Sequence, residues 1–224
     1  HLAPGTYSIA GLSLVHGASV IGAAPETTIV RGTVFGLAAG ALFSNVTVTG
    51  GAAGGIVVQP GAAPRIENCV ITGNVSAGVK VWNEGNPTFS RCEIAGNGTG
   101  VEMWAHRENR LILKNYGTFR NCVIVANRKA GVYSGYPTLE NCTVADNLGV
   151  GVDAVLAKIT NSILYFNDET AGGVNLDVES AKSTVTYSDV QGGWDGDPAM
   201  DLAQPLAEDL IHTGWGSLHP VGSD

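Results

Sequence analysis

Hydrophobic and polar residues alternate over short runs along this chain, and one such run occurs five times. Its versions read PRIENCVITGN, NPTFSRCEIAGN, YGTFRNCVIVAN, YPTLENCTVADN and KITNSILYFN. They end at Asn74, Asn97, Asn127, Asn147 and Asn167, so successive asparagines are 23, 30, 20 and 20 residues apart. A period of this length is typical of coils that stack along one axis. The pattern therefore predicts a solenoid.

Each coil contains three short runs with the two-residue period of a β-strand. The first is typified by PTFSR, the second by CEI, and the third begins with Gly-Val. Coils stacked about 4.8 Å apart would place like residues in continuous columns. The columns predicted to point inward take large apolar residues from the first strand, cysteines from the second and valines from the third: Ile66, Phe89, Phe119, Leu139, Ile159, Cys69, Cys92, Cys122, Cys142, Val79, Val101, Val132 and Val152.

The recurring asparagines have a predicted structural role. A side-chain amide at the same turn of every coil can donate a hydrogen bond to one neighbouring coil and accept one from the other. We therefore expect a ladder of Asn74, Asn97, Asn127, Asn147 and Asn167. The cysteines form a buried column of small apolar side chains in this interpretation, and no histidine shares their spacing as in a zinc site.

These residues resemble the right-handed parallel β-helix of the pectin-lyase-like superfamily, whose repeat occurs in carbohydrate-binding proteins and sugar hydrolases. The resemblance implies an all-β, single-stranded right-handed parallel β-helix of about eight coils over residues 1–194. VTYSDVQGGW resembles the last coil of many bacterial members. Residues 195–224 have no periodicity and contain three prolines, which predicts an irregular tail that caps the open end of the stack.

Composition limits the possible partners. The net charge of −8 argues against nucleic acid, since nucleic-acid-binding proteins cluster Lys and Arg on one face. No apolar run approaches the length needed to span a membrane, and the oligomeric state stays open.

The chain begins in mid-coil, which favours a mature or trimmed fragment. The resemblance implies an extracellular or cell-surface protein.

The 30-residue coil contains the densest group of ionisable residues, in the stretch WAHRENRLILKNY from Trp104 to Tyr116. In the superfamily, the turn from third to first strand and the outward face of the first strand generally form a polysaccharide groove. The resemblance thus implies binding, and lyase-like cleavage, of an acidic polysaccharide beside residues 104–116. The candidate catalytic residues are His106, Lys114, Arg120 and Glu140, and the candidate binding residues are Trp82, Trp104, Arg107, Arg110, Tyr116 and Tyr136.

Each candidate role follows from side-chain chemistry. An arginine can pair a uronate carboxylate through two hydrogen bonds, and Lys114 or His106 could remove the proton next to that carboxylate. Trp82 and Trp104 end successive third strands, and Tyr116 and Tyr136 are expected beside them as an aromatic surface for sugar rings. We expect Arg120 and Glu140 to be neighbours in adjacent coils.

Two alternatives remain open. Inverting glycoside hydrolysis needs two separated carboxylates, and Glu102 and Asp153 are expected two coils apart in an outward column that also contains Lys80, Tyr133 and Asn175. A non-catalytic structural or adhesive module would use the coils only as a surface, with Arg120 and Glu140 as a surface salt bridge. No cofactor is implied. Calcium is conceivable, but DGDPAMD lacks the spacing of an EF-hand loop.

Overall fold

The structure, a computed structural model, describes residues 1–9, 11–14, 18–104, 106–108, 111–168, 174–179 and 182–191. This part of the chain is all-β and winds into a parallel solenoid with three sheets. The first strands of the coils form sheet 1: β3 (Val20–Ile21), β6 (Leu42–Ser44), β9 (Arg65–Glu67), β12 (Thr88–Ser90), β17 (Tyr116–Arg120), β20 (Tyr136–Glu140), β23 (Lys158–Thr160) and β26 (Thr184–Thr186).

The second and third strands of the coils form two further sheets. Sheet 2 contains β1 (Gly5–Ser8), β4 (Thr28–Arg31), β7 (Thr47–Thr49), β10 (Val70–Thr72), β13 (Glu93–Ala95), β18 (Val123–Val125), β21 (Thr143–Ala145), β24 (Ile163–Tyr165) and β27 (Asp189–Val190). Sheet 3 contains β2 (Leu12–Ser13), β5 (Val34–Phe35), β8 (Ile56–Val58), β11 (Ala77–Trp82), β14 (Thr99–Trp104), β19 (Val132–Tyr133), β22 (Val152–Ala154) and β25 (Leu176–Val178). Sheets of eight, nine and eight strands confirm the prediction of about eight coils.

The core consists of the predicted columns. Phe89 pairs with Phe119 in the parallel register of sheet 1, and their rings stack with centroids 5.0 Å apart. The predicted inward residues of sheets 1 and 3 are all fully buried. Alternation along each short strand puts every second side chain in this core, because successive side chains of a strand point to opposite faces.

The cysteines differ slightly from their predicted place. Each one lies at the corner just before the second strand, not within it, and all four are free and buried. The thiol of Cys142 donates to the carbonyl of Phe119 at 3.3 Å. In the next coil Ser162 takes the same position, and its hydroxyl accepts from the Cys142 backbone N–H at 3.1 Å. The column therefore satisfies corner carbonyls as well as filling space.

The asparagine ladder is confirmed, and each member is buried. The backbone N–H and side-chain N–H₂ of Asn97 both donate to Oδ1 of Asn127, at 2.9 and 3.1 Å, and Asn127 donates in the same way to Asn147. The side-chain nitrogen of Asn127 also donates to the carbonyl of Ile94, in the preceding coil. Each amide thus joins the polar groups of three successive coils.

The structure places Asn175 in the asparagine ladder and not in the outward column predicted for it. The sequence run GVNLD predicts that Val174 points inward and Asn175 outward, but Leu176 is the residue that pairs with Val152. Asn175 is buried, and its Oδ1 accepts from the backbone and side chain of Asn167. It therefore extends the ladder, only eight residues after Asn167, and Asp177 takes the outward position beside Asp153.

A second row of asparagines lies at the exposed corner between sheets 1 and 2. Asn121, Asn141 and Asn161 have left-handed backbone conformations, with φ between 50° and 55°. Their side chains are hydrogen-bonded in sequence, Asn161 to Asn141 at 2.6 Å and Asn141 to Asn121 at 3.2 Å. Asparagine tolerates this conformation better than most residues. Asparagine recurs just before the cysteines in the sequence, and this recurrence could have predicted the exposed row of asparagines.

The extra length of the 30-residue coil forms an antiparallel hairpin between sheets 3 and 1. Its strands are β15 (His106–Glu108) and β16 (Leu111–Leu113). No helix in the described residues is long and apolar enough to cross a bilayer. The tail at 195–224 lies outside those residues, so its capping role stays a prediction.

Removing one ladder amide should destabilise the protein strongly. Asn127→Ala would leave the buried backbone N–H of Asn97 without a partner and remove the side-chain hydrogen bonds of Asn127 to Asn147 and to the carbonyl of Ile94, which should lower the free energy of unfolding by about 3 kcal/mol. Urea denaturation followed by circular dichroism measures this. Asn141→Gly, in the exposed row, keeps the left-handed conformation and should cost under about 1 kcal/mol. Equal losses would contradict the distinction between the rows.

The thiol column should be unreactive in the folded protein. The pKa of Cys92 is raised to about 12: its hydrogen bond with Cys122 lowers the pKa, but the hydrogen bond with Cys69 and burial outweigh that effect. The thiolate is the reactive form, so at pH 8 we expect almost no reaction with a disulfide reagent. In denaturant all four cysteines should react. Rapid labelling of the folded protein would contradict this prediction.

Candidate functional site

The outer face of sheet 1 carries a row of polar and aromatic side chains. In the register of β17 and β20, Tyr116 lies beside Tyr136, and Arg120 lies beside Glu140. The two tyrosine rings have centroids 5.5 Å apart. The ammonium of Lys114 lies 5.3 Å from the centroid of the Tyr136 ring, within the range of a cation–π contact. We call Lys114, Tyr116, Tyr136 and Arg120 the sheet 1 site.

Arg120 and Glu140 form a direct ion pair, as predicted. Nε of Arg120 donates to Glu140 at 2.6 Å, and one terminal nitrogen donates to the other carboxylate oxygen at 3.5 Å. This hydrogen bond, together with the charge of Glu140, raises the pKa of Arg120. Both side chains are largely exposed, so the pair contributes little to stability. Its geometric effect is to hold the guanidinium on the outer face.

The hairpin joins the stack at a buried asparagine. Asn115 is fully buried, and its side-chain nitrogen donates to the carbonyl of Trp104, which closes the base of the hairpin. His106 and Arg107 lie on β15, where they pair with Leu113 and Ile112. Arg110 lies outside the described residues. The structure therefore places the hairpin next to the sheet 1 site, between β14 and β17.

The predicted aromatic surface is divided between two sheets. Trp82 and Trp104 are neighbours on the outer face of sheet 3, and both are exposed. The ring of Trp104 meets the edge of Tyr133, with centroids 6.5 Å apart. Tyr116 and Tyr136 pair with each other on sheet 1. Sequence analysis missed Tyr133 as an aromatic partner, although its place after Gly-Val put it in the outward column of Lys80 and Glu102.

The two sheets also differ in charge. The strands of sheet 1 carry three basic side chains and two acidic ones: Arg65, Arg120, Lys158, Glu67 and Glu140. Lys114 adds a further positive charge at the edge of this sheet. The strands of sheet 3 carry one basic side chain and three acidic ones: Lys80, Glu102, Asp153 and Asp177. An acidic protein thus has one outer face with a local excess of positive charge.

The carboxylates considered for hydrolysis lie in one column of sheet 3. Glu102 pairs with Tyr133, which pairs with Asp153, so the acids are two coils apart as predicted. Glu102 lies 3.5 Å from the ammonium of Lys80 and accepts from the indole N–H of Trp104. Desolvation, followed by the charges of Asp177 and Glu179, raises the pKa of Asp153. In the described residues no three His, Cys, Asp or Glu side chains are placed to hold a metal ion.

Comparison with known proteins defines the class of fold. A family model described as "Right handed beta helix region" matches residues 32–115. The fold is a right-handed parallel β-helix. The crystal structure of pectate lyase Pel9A superposes on 87% of this chain and 70% of its own, with a TM-score of 0.53 and 17% sequence identity. The sequence matches no curated protein.

Asp177 should control the ionisation of Asp153. Asp177→Asn removes a neighbouring negative charge, so the pKa of Asp153 should fall towards its ordinary value, while desolvation keeps it somewhat raised. NMR titration of the carboxyl carbon measures the shift.

The same substitution should stabilise the protein at neutral pH and have less effect in acid. A raised folded-state pKa means that ionised Asp153 is less favourable in the folded than in the unfolded protein. This cost is absent below the unfolded pKa and complete above the folded pKa. Urea midpoints at neutral and acidic pH test the sign. A larger stabilisation in acid would contradict it.

Proposed function

We propose that the sheet 1 site binds an acidic polysaccharide. The observation that carries the proposal is the aligned pair Tyr116 and Tyr136, with Lys114 over one ring and Arg120 four residues along the same strand as Tyr116. Aromatic faces can stack on sugar rings, and the two cations can pair with uronate carboxylates. The β-helix fold shared with a pectate lyase supports a carbohydrate-related function.

Glu140 has an orienting role in this proposal. A guanidinium has five N–H donors, and the bonds to Glu140 use Nε and one terminal nitrogen. The remaining donors can bind a carboxylate on the ligand. Glu140 would reduce the conformational freedom that Arg120 loses on binding, which favours affinity. This differs from the sequence-based hypothesis, in which Glu140 was a candidate catalytic residue.

Lyase cleavage is an extension of this proposal: a base would remove the proton next to the bound carboxylate, a C=C bond would form, and the glycosidic C–O bond on the adjacent carbon would break with the leaving oxygen taking a proton. His106 would be the base if Lys114 binds the carboxylate as a cation, and Lys114 could be the base only in its neutral form. Arg120 would offset the negative charge that develops there. An acidic polysaccharide is typically met outside the cell, so the proposal includes an extracellular or cell-surface location. The alternative is a structural or adhesive module with no glycan site.

Binding to pectate, alginate, chondroitin sulfate and heparin tests the proposal. At least one should bind, with affinity that falls as salt rises. Lys114→Ala and Tyr116→Ala should each weaken binding by about tenfold, since a desolvated cation or ring contact contributes about 1 to 2 kcal/mol. Arg31→Ala is the matched control, because this exposed cation lies on sheet 2 and should leave the affinity unchanged.

The absorbance of unsaturated uronates in the same samples tests cleavage. Turnover that disappears in Lys114→Arg while binding persists in that same variant would assign Lys114 as the base. Absence of binding to every polyanion, or equal losses in Arg31→Ala and Lys114→Ala, would reject the sheet 1 site and favour the structural module.

A further inference from the structure

The outer face of sheet 3 has a second set of exposed aromatic rings. Trp82, Trp104 and Tyr133 have exposed fractions of 42%, 53% and 40%, although large aromatic side chains usually contribute to a core. They occur in three consecutive coils, because β11 pairs with β14 and β14 pairs with β19. We call these three residues the sheet 3 platform. The proposed polysaccharide site on sheet 1 uses none of them.

Carboxylates continue the same face beyond the platform. Tyr133 pairs with Asp153, and Asp153 pairs with Asp177. From Trp82 to Asp177 the face crosses five coils, a distance of about 19 Å at the usual strand spacing. An elongated ligand along the stack would therefore meet the rings of the platform, with Lys80 and Glu102 beside the tryptophans, before it reached the carboxylates of Asp153 and Asp177.

The charge on this face favours a cation. Lys80 is the one basic side chain on the strands of sheet 3, and its ammonium already lies 3.5 Å from Glu102. Beyond Tyr133 the acidic residues repel one another: the pKa of Asp153 is raised by desolvation and then by Asp177 and Glu179. A cationic ligand would relieve this repulsion, whereas a uronate polymer would add to it. The two outer faces thus differ in the sign of their excess charge.

We propose that the sheet 3 platform and the carboxylates of Asp153 and Asp177 bind a cationic glycan, a chain of hexosamines with free protonated amines. The apolar faces of the sugar rings would stack on Trp82, Trp104 and Tyr133. The ammonium groups would pair with the carboxylates and contact the ring faces. The choice of a hexosamine chain as the ligand follows from the order of aromatic side chains and carboxylates along the solenoid axis.

Binding of a glucosamine tetramer tests this inference, with the N-acetylated tetramer as a matched neutral ligand. At mildly acidic pH, calorimetry and tryptophan fluorescence should show saturable binding of the glucosamine tetramer. The neutral tetramer should bind about tenfold more weakly, because it lacks the charge-assisted contacts. Equal affinity for the two tetramers would overturn the role of charge, and absence of binding to both would overturn the site.

Two variants and two controls locate the binding surface. Trp104→Ala removes a largely exposed ring, and Asp177→Asn keeps the size of the side chain while removing its charge. Each should weaken glucosamine binding by about five- to tenfold. Tyr187→Ala and Glu93→Gln remove an exposed ring and an exposed acid from elsewhere on the stack, so they should leave it unchanged. Equal loss in variants and controls would indicate non-specific attraction to an acidic protein and overturn the proposal.

The two proposed sites can fail separately. Lys114→Ala should leave glucosamine binding unchanged, and Trp104→Ala should leave polyanion binding unchanged. If polyanions do not bind but the glucosamine result holds, only the sheet 1 site is rejected. Loss of both ligands in either single variant would contradict two independent faces.

Discussion

The structure depends on the hydrogen bonds of the asparagine ladder. The ladder asparagines are buried at the turn between sheets 2 and 3, and their backbone N–H groups would have no partners there without the side-chain amides. Asn74, Asn97, Asn127, Asn147 and Asn167 supply one acceptor and two donors in every coil. Because a slip of one residue would turn every inward side chain outward, the ladder also fixes the register that the core needs.

Fixed register gives the outer faces their chemical character. Once equivalent positions of successive coils are aligned, one substitution per coil is enough to create a row of rings or charges. The row on sheet 1 has more basic than acidic side chains, and the row on sheet 3 has the opposite balance. A chain with a net charge of −8 can therefore present a cationic strip, since opposite charges occupy different faces of the same stack.

The turns of the solenoid differ in how many added residues they accommodate. The ladder turn varies by one residue between Asn74 and Val152, since its amides must contact the coils on both sides: Val101 is four residues after Asn97, and Val79, Val132 and Val152 are each five residues after a ladder asparagine. The turn from sheet 3 to sheet 1 has no such constraint, and in one coil it accommodates a whole hairpin at residues 106–113. A large insertion thus lies at the edge beside the sheet 1 site, and a smaller one separates Asn167 from Asn175. A scaffold of this kind can change its outer chemistry without changing its core.

The sequence by itself determined the repeat, the inward columns, the ladder from Asn74 to Asn167 and the pairing of Arg120 with Glu140. These features follow from periodicity, which is local and appears once per coil. Tertiary structure decided the rest. It placed Asn175 in the ladder, because Leu176 is the residue that pairs with Val152, a register that the Gly-Val pattern does not mark. It also separated the tryptophans from Tyr116 and Tyr136, since which side chains share a face depends on where the turn redirects the chain, and a linear sequence does not contain that direction.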